Sequence, residues 1–218
     1  MIDVLTVNVG CPKPLGDDRG RPVYSGIGKQ PVVPGTVLWL SLVNLAGDGQ
    51  ADLAVHGGPD KAVYVYPSEH LADWERDLQE ELGPAPFGEN LSTRGVTEGD
   101  VCIGDRWRWD DAVVEVCQPR WPCFKLALYR RRSDIQVRMR TTGRTGWYLR
   151  VIEPGPVTVG SPLEVIERDP IALSVFSAHL AMADRHLEHP DLVEVAARHP
   201  RLAAEWREPL RERIGRQT

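Results

Sequence analysis

Ala112-Val113-Val114-Glu115-Val116-Cys117-Gln118-Pro119-Arg120-Trp121-Pro122-Cys123-Phe124-Lys125 holds the plan of the fold in one run of sequence. Its first half, Ala112 to Cys117, carries the strand signature. Pro119 and Pro122 then forbid a continuous strand and stiffen a loop. Beyond them, Phe124 to Arg131 reads as a helix. Working outward, the period-two pattern returns in Ile2 to Val9, Thr36 to Leu45, Lys61 to Tyr66, Val101 to Trp109, Gly146 to Ile152 and the shorter Pro162 to Ile166. Gly47-Asp48-Gly49, Gly57-Gly58-Pro59-Asp60, Asp110-Asp111 and Pro154-Gly155-Pro156 punctuate these runs as turns. So many short strands predict a mainly β fold, a closed or nearly closed β-barrel, because closure removes exposed strand edges.

Helices interrupt this pattern in two places. Pro67 to Leu82 is predicted helical, with Leu71, Trp74, Leu78 and Leu82 forming one apolar stripe and Gly83-Pro84 ending it. Near Asp169-Pro170 the composition shifts, glycine nearly vanishes, and three short helices fit at about 172–182, 190–198 and 200–213. The expected division is therefore a β-barrel domain over residues 1–168 and a three-helix C-terminal extension over 169–218. The extension is too small to bury a core alone, so it is expected to dock on the barrel or on a partner, including a second copy in a homodimer.

Composition excludes several classes. Hydrophobic residues make up 42% and charged residues 26% of the 218, enough for a packed core and against wholesale disorder. The longest apolar run, Val37 to Ala46, is broken by Ser41 and Asn44 and is about half the length of a membrane span. Four cysteines in a chain of this length do not suggest a disulfide scaffold. The expectation is a soluble, cytoplasmic, thiol-reduced protein. The net charge of −5 argues against a nucleic-acid binder. Residues 120–150 break that pattern with nine basic side chains against the single acid Asp134. A basic island on an acidic chain is what a site for a small anion requires, although Arg130-Arg131-Arg132 also fits a solvated helix face.

Cys123 stands out chemically. It sits on the proline-stiffened loop between Arg120 and Lys125 and leads into a helix. Cations and a helix N-terminus both favour the thiolate, the form that binds a soft metal or carries sulfur. Cys102 and Cys117 lie inside strand patterns and read as core. The Cys117–Cys123 spacing does not match a zinc knuckle, and Cys11, before Pro12, reads as a loop residue. His56-Gly57-Gly58-Pro59-Asp60-Lys61 offers backbone amides and charge to an anion, or is a structural turn. Gly26-Ile27-Gly28-Lys29, Phe87-Gly88-Glu89-Asn90-Leu91 and the turn carrying Arg144 are open to the same two readings.

Taken together, Lys29, Asp48, His56-Gly57-Gly58 with Asp60-Lys61-Ala62, Phe87-Gly88-Glu89-Asn90-Leu91, Gln118-Pro119-Arg120 with Pro122-Cys123-Phe124-Lys125, and Gly143 followed by Gly146-Trp147-Tyr148-Leu149-Arg150-Val151 resemble the MOSC domain, the C-terminal domain of molybdenum cofactor sulfurases. The resemblance covers about residues 1–168 and is nearest the bacterial hydroxylaminopurine-resistance type, which adds a three-helix C-terminal extension. It implies a β-barrel that binds the pterin-based molybdenum cofactor, molybdopterin. Cys123 would be the catalytic residue and molybdenum ligand, or in sulfurase relatives a sulfur carrier. Lys29, His56, Gly57, Gly58, Lys61, Asn90, Arg120, Lys125 and Arg144 would bind the cofactor. The implied activity is reduction of N-hydroxylated bases or related compounds, with electrons from a separate flavin or iron–sulfur reductase. The alternative is a non-catalytic sulfur carrier or cofactor-binding module using a Cys123 persulfide. One departure is that the arginine which often follows the aspartate at Asp48 is absent, which leaves that anchor to be supplied elsewhere, for example by Arg144.

Overall fold

Every residue of Ala112–Pro119 is buried, and the fold is built around this strand. The structure, a computed structural model, describes residues 1–51 and 57–216. The strands are β1 (Asp3–Val9), β2 (Lys13–Asp18), β3 (Arg21–Ser25), β4 (Gln30–Pro31), β5 (Val37–Leu40), β6 (Val63–Pro67), β7 (Leu91–Arg94), β8 (Arg106–Trp109), β9 (Ala112–Pro119), β10 (Trp147–Glu153), β11 (Gly155–Thr158) and β12 (Glu164–Glu167). Eight of them form one mixed sheet in the order β12-β8-β9-β10-β6-β7-β1-β4, with only β6 and β7 parallel. The sheet curls until Ile2 and Leu163 exchange backbone hydrogen bonds of 2.8 and 2.9 Å. That bridge joins the β1 side to the β12 side and gives the expected barrel-like closure. The cross-strand neighbours Tyr148 and Gln118, on β10 and β9, stand in register where the site will form.

Two apolar clusters flank the sheet. The larger fills the barrel with Trp107, Trp109 and Trp147 and continues into the tail through Val193, Ala196, Leu202, Trp206 and Leu210. Helices α4 (Val175–Ala183), α5 (Pro190–Arg198) and α6 (Ala204–Gly215) therefore dock on the barrel and share its core. The smaller cluster packs Tyr64, Tyr66, Trp74, Phe87, Leu126 and Met139 beneath α1 (Leu71–Leu78), α2 (Phe124–Arg130) and α3 (Ile135–Thr142). Among the described residues no helix is long and apolar enough to cross a membrane.

Several predicted elements are corrected. Pro67 ends β6 instead of opening a helix, and a 3₁₀ turn, Ser68–His70, intervenes before α1. That helix stops at Leu78, where Gln79 takes a left-handed φ of 55° and returns its N–H to Glu75 O, well before Gly83. The expected strand from Val101 to Trp109 survives only as β8, because the buried Asp105 carboxylate accepts the N–H groups of Cys102 and Asp169 and pins a turn. The Thr36–Leu45 strand ends at Leu40, where Ser41 and Asn44 hydrogen-bond to each other. Gly155-Pro156 opens β11, the partner of β5, and is not a turn. The β2–β3 hairpin was not foreseen. It turns on Arg19 and Gly20, both at positive φ, the conformation that two-residue hairpins favour.

Candidate functional site

The buried strand β9 delivers the proline loop to the rim of the curled sheet. Arg120 N–H bonds Gly146 O at 3.1 Å, anchoring the loop to the start of β10. Pro122 then turns the chain so that Cys123 becomes the residue capping α2, and Lys125 lies one residue into that helix. Two cavities meet at this loop. The first, about 90 Å³, is lined by Lys29, Lys61, Arg120, Lys125, Cys123 and Tyr148 together with the Gly26, Gly49 and Gly88 backbones. The second, about 480 Å³, lies between the barrel and the tail and shares Lys61, Cys123 and Tyr148 with the first. The Cys123 residue thus forms part of both walls.

The glycine loops are shaped for close approach. A Cβ on Gly26 would lie 2.1 Å from Gly49 O, and one on Gly88, at φ +79°, would lie 2.5 Å from Ile27. Only glycine lets these three segments form the floor of the first cavity. Behind that floor a buried network fixes the loops. Lys29 Nζ bonds Asp48 Oδ1, which also accepts Gly10 N–H at 2.9 Å. Asn90 Nδ2 donates to Asp48 Oδ2 at 2.9 Å and to Asn8 O at 3.2 Å, and Asn90 Oδ1 accepts Tyr64 N–H at 3.0 Å. Lys29 and Asn90 therefore reach the cavity, but as parts of a neutral clamp. Burial lowers the Lys29 pKa, and Asp48 opposes that shift. Glu89 lies deeper still, accepting Phe87 N–H and Ser92 Oγ–H, and burial pushes its carboxyl up to about 7.

Arg120 is the unusual group. It is 6% exposed, its guanidinium sits 4.9 Å over the Tyr64 ring, and its Nη1 approaches Met139 Sδ at 3.8 Å. No carboxylate of a described residue is among its ion-pair partners, nor among those of Lys125. Buried cations are normally paired, because the interior solvates charge poorly. Most of the remaining arginines of the basic island are engaged elsewhere, and Arg131 is exposed. Arg130 pairs with Glu80, Arg132 and Arg138 with Asp134, and Arg150 with Asp60 and Glu115, while Arg140 lies over the Trp121 ring at 5.8 Å.

The other sequence-predicted residues divide. Lys61 reaches both cavities and its Nζ donates to Glu205 Oε2 at 2.5 Å. His56 lies outside the described residues. Gly57 and Gly58 do not line either cavity; Gly58, at φ +96°, introduces the 3₁₀ turn Pro59–Lys61 that carries Lys61 inward. Arg144 is not brought to the site, because α1 captures it, with Asp73 at 3.0 Å and Asp77 at 3.7 Å. Cys117 is buried with its thiol on the Asp60 and Tyr148 carbonyls, and burial pushes its pKa far up. Cys11 is exposed and Cys102 half-buried. Sequence reasoning missed Tyr64, Tyr148, Gln118, Glu205 and Trp206. Tyr64 and Tyr148 stood inside recognised strands and Gln118 just past the end of one, and none carried a sign of which face it presents. Glu205 and Trp206 carry no local signal, since only docking of α6 brings them in. Among the described residues no group of three His, Cys, Asp or Glu side chains is arranged to hold a metal, so Cys123 offers a single soft ligand.

The MOSC domain family model matches residues 52–164, from before β6 to the first residue of β12. The chain is 48% identical to YflK of Bacillus subtilis over 172 residues, covering 79% of this chain and 76% of that one. A Gibberella moniliformis protein named "Reductase" is 32% identical over 154 residues, which are 69% of this chain but 27% of that longer protein. The crystal structure of YiiM from Geobacillus stearothermophilus superposes with a TM-score of 0.81 at 33% identity, covering 98% of this chain and all of the other. Because the family model alone takes in the Cys123 loop and both strands that flank it, the chain belongs to the MOSC domain family.

Proposed function

We propose that this protein binds the pterin-based molybdenum cofactor at the Cys123 loop, with the anionic end of the group in the first cavity, and reduces N-hydroxylated compounds with electrons from a separate flavin or iron–sulfur reductase. The observation that carries the reading is Arg120, a buried guanidinium that forms no ion pair with a carboxylate of the described residues, lining one cavity with Lys125 and a half-buried thiol. An anionic, phosphate-bearing group with its own metal ligands fits this donor set: the cations take the phosphate and Cys123 adds one soft ligand to the metal. When bound, the cofactor supplies two-electron redox chemistry at a metal that accepts oxygen.

The chain's own residues supply the rest. Arg120 can engage phosphate oxygens through two parallel N–H donors, and Lys125 adds a point charge. The Asp48–Lys29–Asn90 clamp holds the glycine loops so that their backbone stays close to the ligand. Tyr148 borders both cavities, and burial raises its phenol pKa, so its Oη keeps a proton that it can donate as the N–O bond breaks. Reduction of R–NHOH to R–NH₂ and water consumes two electrons and two protons, and Tyr148, on the wall of both cavities, is the candidate donor of one of those protons. The fungal relative's name is consistent with an oxidoreductase.

The test is elemental analysis of protein made in cells that synthesise the cofactor. Molybdenum should accompany the wild-type chain and be lost from Arg120→Met and Cys123→Ser. A metal-free wild type, purified alongside a loaded control molybdoenzyme, overturns the proposal. A Cys123 persulfide formed with a sulfur donor, in protein that never takes up molybdenum, would instead identify a sulfur carrier.

A further inference from the structure

Helices α3 and α4 share an outer face that the cavities leave unused. Val137 on α3, Phe176 and Leu180 on α4, and Trp121 on the Cys123 loop are between 37% and 55% exposed. Short contacts join them. His179 Nε2–H donates to Arg140 O at 2.8 Å, which ties α4 to α3. The Trp121 ring lies 5.5 Å from the His179 ring. The Phe176 ring covers Gly143, where a Cβ would lie 2.5 Å from it. Phe176 and Leu180 stand one turn apart on the same side of α4, as Val137 and Arg140 do on α3. Exposed apolar residues scattered singly need no explanation, but a joined group of them marks a contact surface.

The rim of this face is cationic. Arg140 lies over the Trp121 ring at 5.8 Å. Arg185, exposed just beyond α4, lines the second cavity with Trp121 and Met182. Neither arginine forms an ion pair with a carboxylate of a described residue. Although the chain carries 31 acidic residues, Ile135–Thr142 and Val175–Ala183 contain none. Asp134, just before α3, is held by Arg132 and Arg138. Asp184, just after α4, accepts the N–H groups of Glu188 and His189. The complement of such a face is an acidic protein surface with a small apolar centre, and Trp and Arg are the side chains that carry most interface energy. A nucleic acid is a poorer match, because two unpaired arginines neutralise few phosphates and the centre is apolar.

We infer that the α3–α4 face is the docking surface for the electron donor, an acidic protein domain carrying flavin or an iron–sulfur cluster, with Trp121, Phe176 and Leu180 at the centre and Arg140 and Arg185 on the rim. Position supports the assignment. Trp121 precedes Cys123 by two residues, and both line the groove between barrel and tail, the second cavity. A protein seated on the face therefore has its edge at the Cys123 loop. Naming it the electron donor rests on the proposed function; the docking itself does not. Each R–NHOH converted to R–NH₂ and water takes two electrons from the partner and two protons, so a one-electron carrier is oxidised twice and must leave between visits. A small, salt-sensitive interface suits that exchange.

The probes are two acidic electron carriers, a flavodoxin and a plant-type ferredoxin, each dye-labelled and titrated with the purified full chain, without added cofactor, by fluorescence anisotropy. At least one should bind saturably, and raising the salt from about 50 to about 300 mM should weaken it about tenfold or more. Arg140→Glu and Arg185→Glu should each weaken binding roughly tenfold, and Leu180→Ser about threefold. Arg108→Glu, on β8, changes the net charge equally and should leave the affinity within about twofold. No saturable binding of either probe by the wild type, or equal weakening by all three charge reversals, overturns the inference. So does a dimer in sedimentation that Leu180→Ser separates, which gives the face to a second copy. Tighter binding to phosphatidylglycerol vesicles than to either carrier gives it to an anionic membrane and overturns it too. Docking on this face by a chain that never takes up molybdenum would leave the surface standing and remove the proposed function; molybdenum loading without docking would do the reverse.

Discussion

Lys61 Nζ donates to Glu205 Oε2 across 2.5 Å, so a side chain that enters the barrel's cationic cavity is tied to the last helix of the tail. The carboxylate is half exposed, and a pair of this kind contributes roughly 0–1 kcal/mol to stability. Its larger effect is on the charge offered to an anion. Glu205→Gln keeps an acceptor for Gln118 and removes the competing negative charge. Phosphate titrated into the variant should bind about threefold to tenfold tighter than to the wild type, the range given by about 1 kcal/mol, with little change in melting temperature. Unchanged or weaker phosphate binding would show that Lys61 takes no part in holding the anion.

Arg120 sets function against stability. It is buried over Tyr64 and beside Met139, and no carboxylate of a described residue forms an ion pair with it, so the native state bears part of the cost of desolvating its charge. Arg120→Met replaces the guanidinium with an apolar chain of similar reach next to an existing methionine. Urea unfolding should show the variant equal to or more stable than the wild type, by up to about 2 kcal/mol. Phosphate binding should fall at least about tenfold, the loss of a charge-assisted bidentate contact. A variant that loses both stability and phosphate binding would mean that Arg120 is held by structure and not for a ligand.

How much of this was legible beforehand follows from the reach of each signal. The strand signature of Ala112 to Cys117 and the two prolines after it predicted a strand, a stiff loop and a helix, because those constraints are local. The tail helix at Pro190–Arg198 matched its expected span, since Pro190 fixes its start. The Val101–Trp109 strand failed because Asp105, a buried acceptor fed by nearby Cys102 and by Asp169 far along the chain, overrides local preference. Arg144 failed for a similar reason: nothing near it in sequence announces Asp73 and Asp77. Arg120, Lys125 and Cys123 were readable as a site because they share one loop. Gln118, Glu205 and Trp206 were not, because the groove exists only once the tail has docked.

The four cysteines should separate by reactivity. Cys117 is buried, with its pKa driven up by loss of solvent, and only the thiolate is nucleophilic. Cys11 is exposed and Cys123 half-buried beside Arg120 and Lys125. Iodoacetamide treatment of the native protein, read by peptide mass spectrometry, should label Cys11 and Cys123 and leave Cys117 unmodified until denaturant is added. Saturating phosphate should slow labelling of Cys123 by filling the cavity that its side chain borders, and leave Cys11 unaffected. Equal protection of both, or labelling of Cys117 ahead of Cys123, would separate the thiol from the anion site.

Glu89 makes stability depend on pH in a direction opposite to that of a paired surface carboxylate. Burial raises its pKa from 4.5 to about 7 in the folded protein. Between these values the unfolded chain has released the proton while the native state still holds it. The native state then binds more protons, so its stability falls as pH rises from about 4.5 to 7 and levels off above that. The size is of order 3 kcal/mol for a fully buried group. Glu89→Gln removes the titration while keeping an acceptor for the Phe87 N–H or the Ser92 hydroxyl. Wild type and variant should be similar at pH 5, and the variant more stable at pH 8, in urea unfolding followed across that range. Because Glu89 also acts electrostatically on Arg120 and Lys29, its ionisation lowers the cavity's positive potential, so wild-type sulfate affinity should decline through pH 7 while the variant's stays flat. Parallel pH profiles for the two proteins, in unfolding and in sulfate binding alike, would show that the Glu89 carboxyl does not titrate in this range.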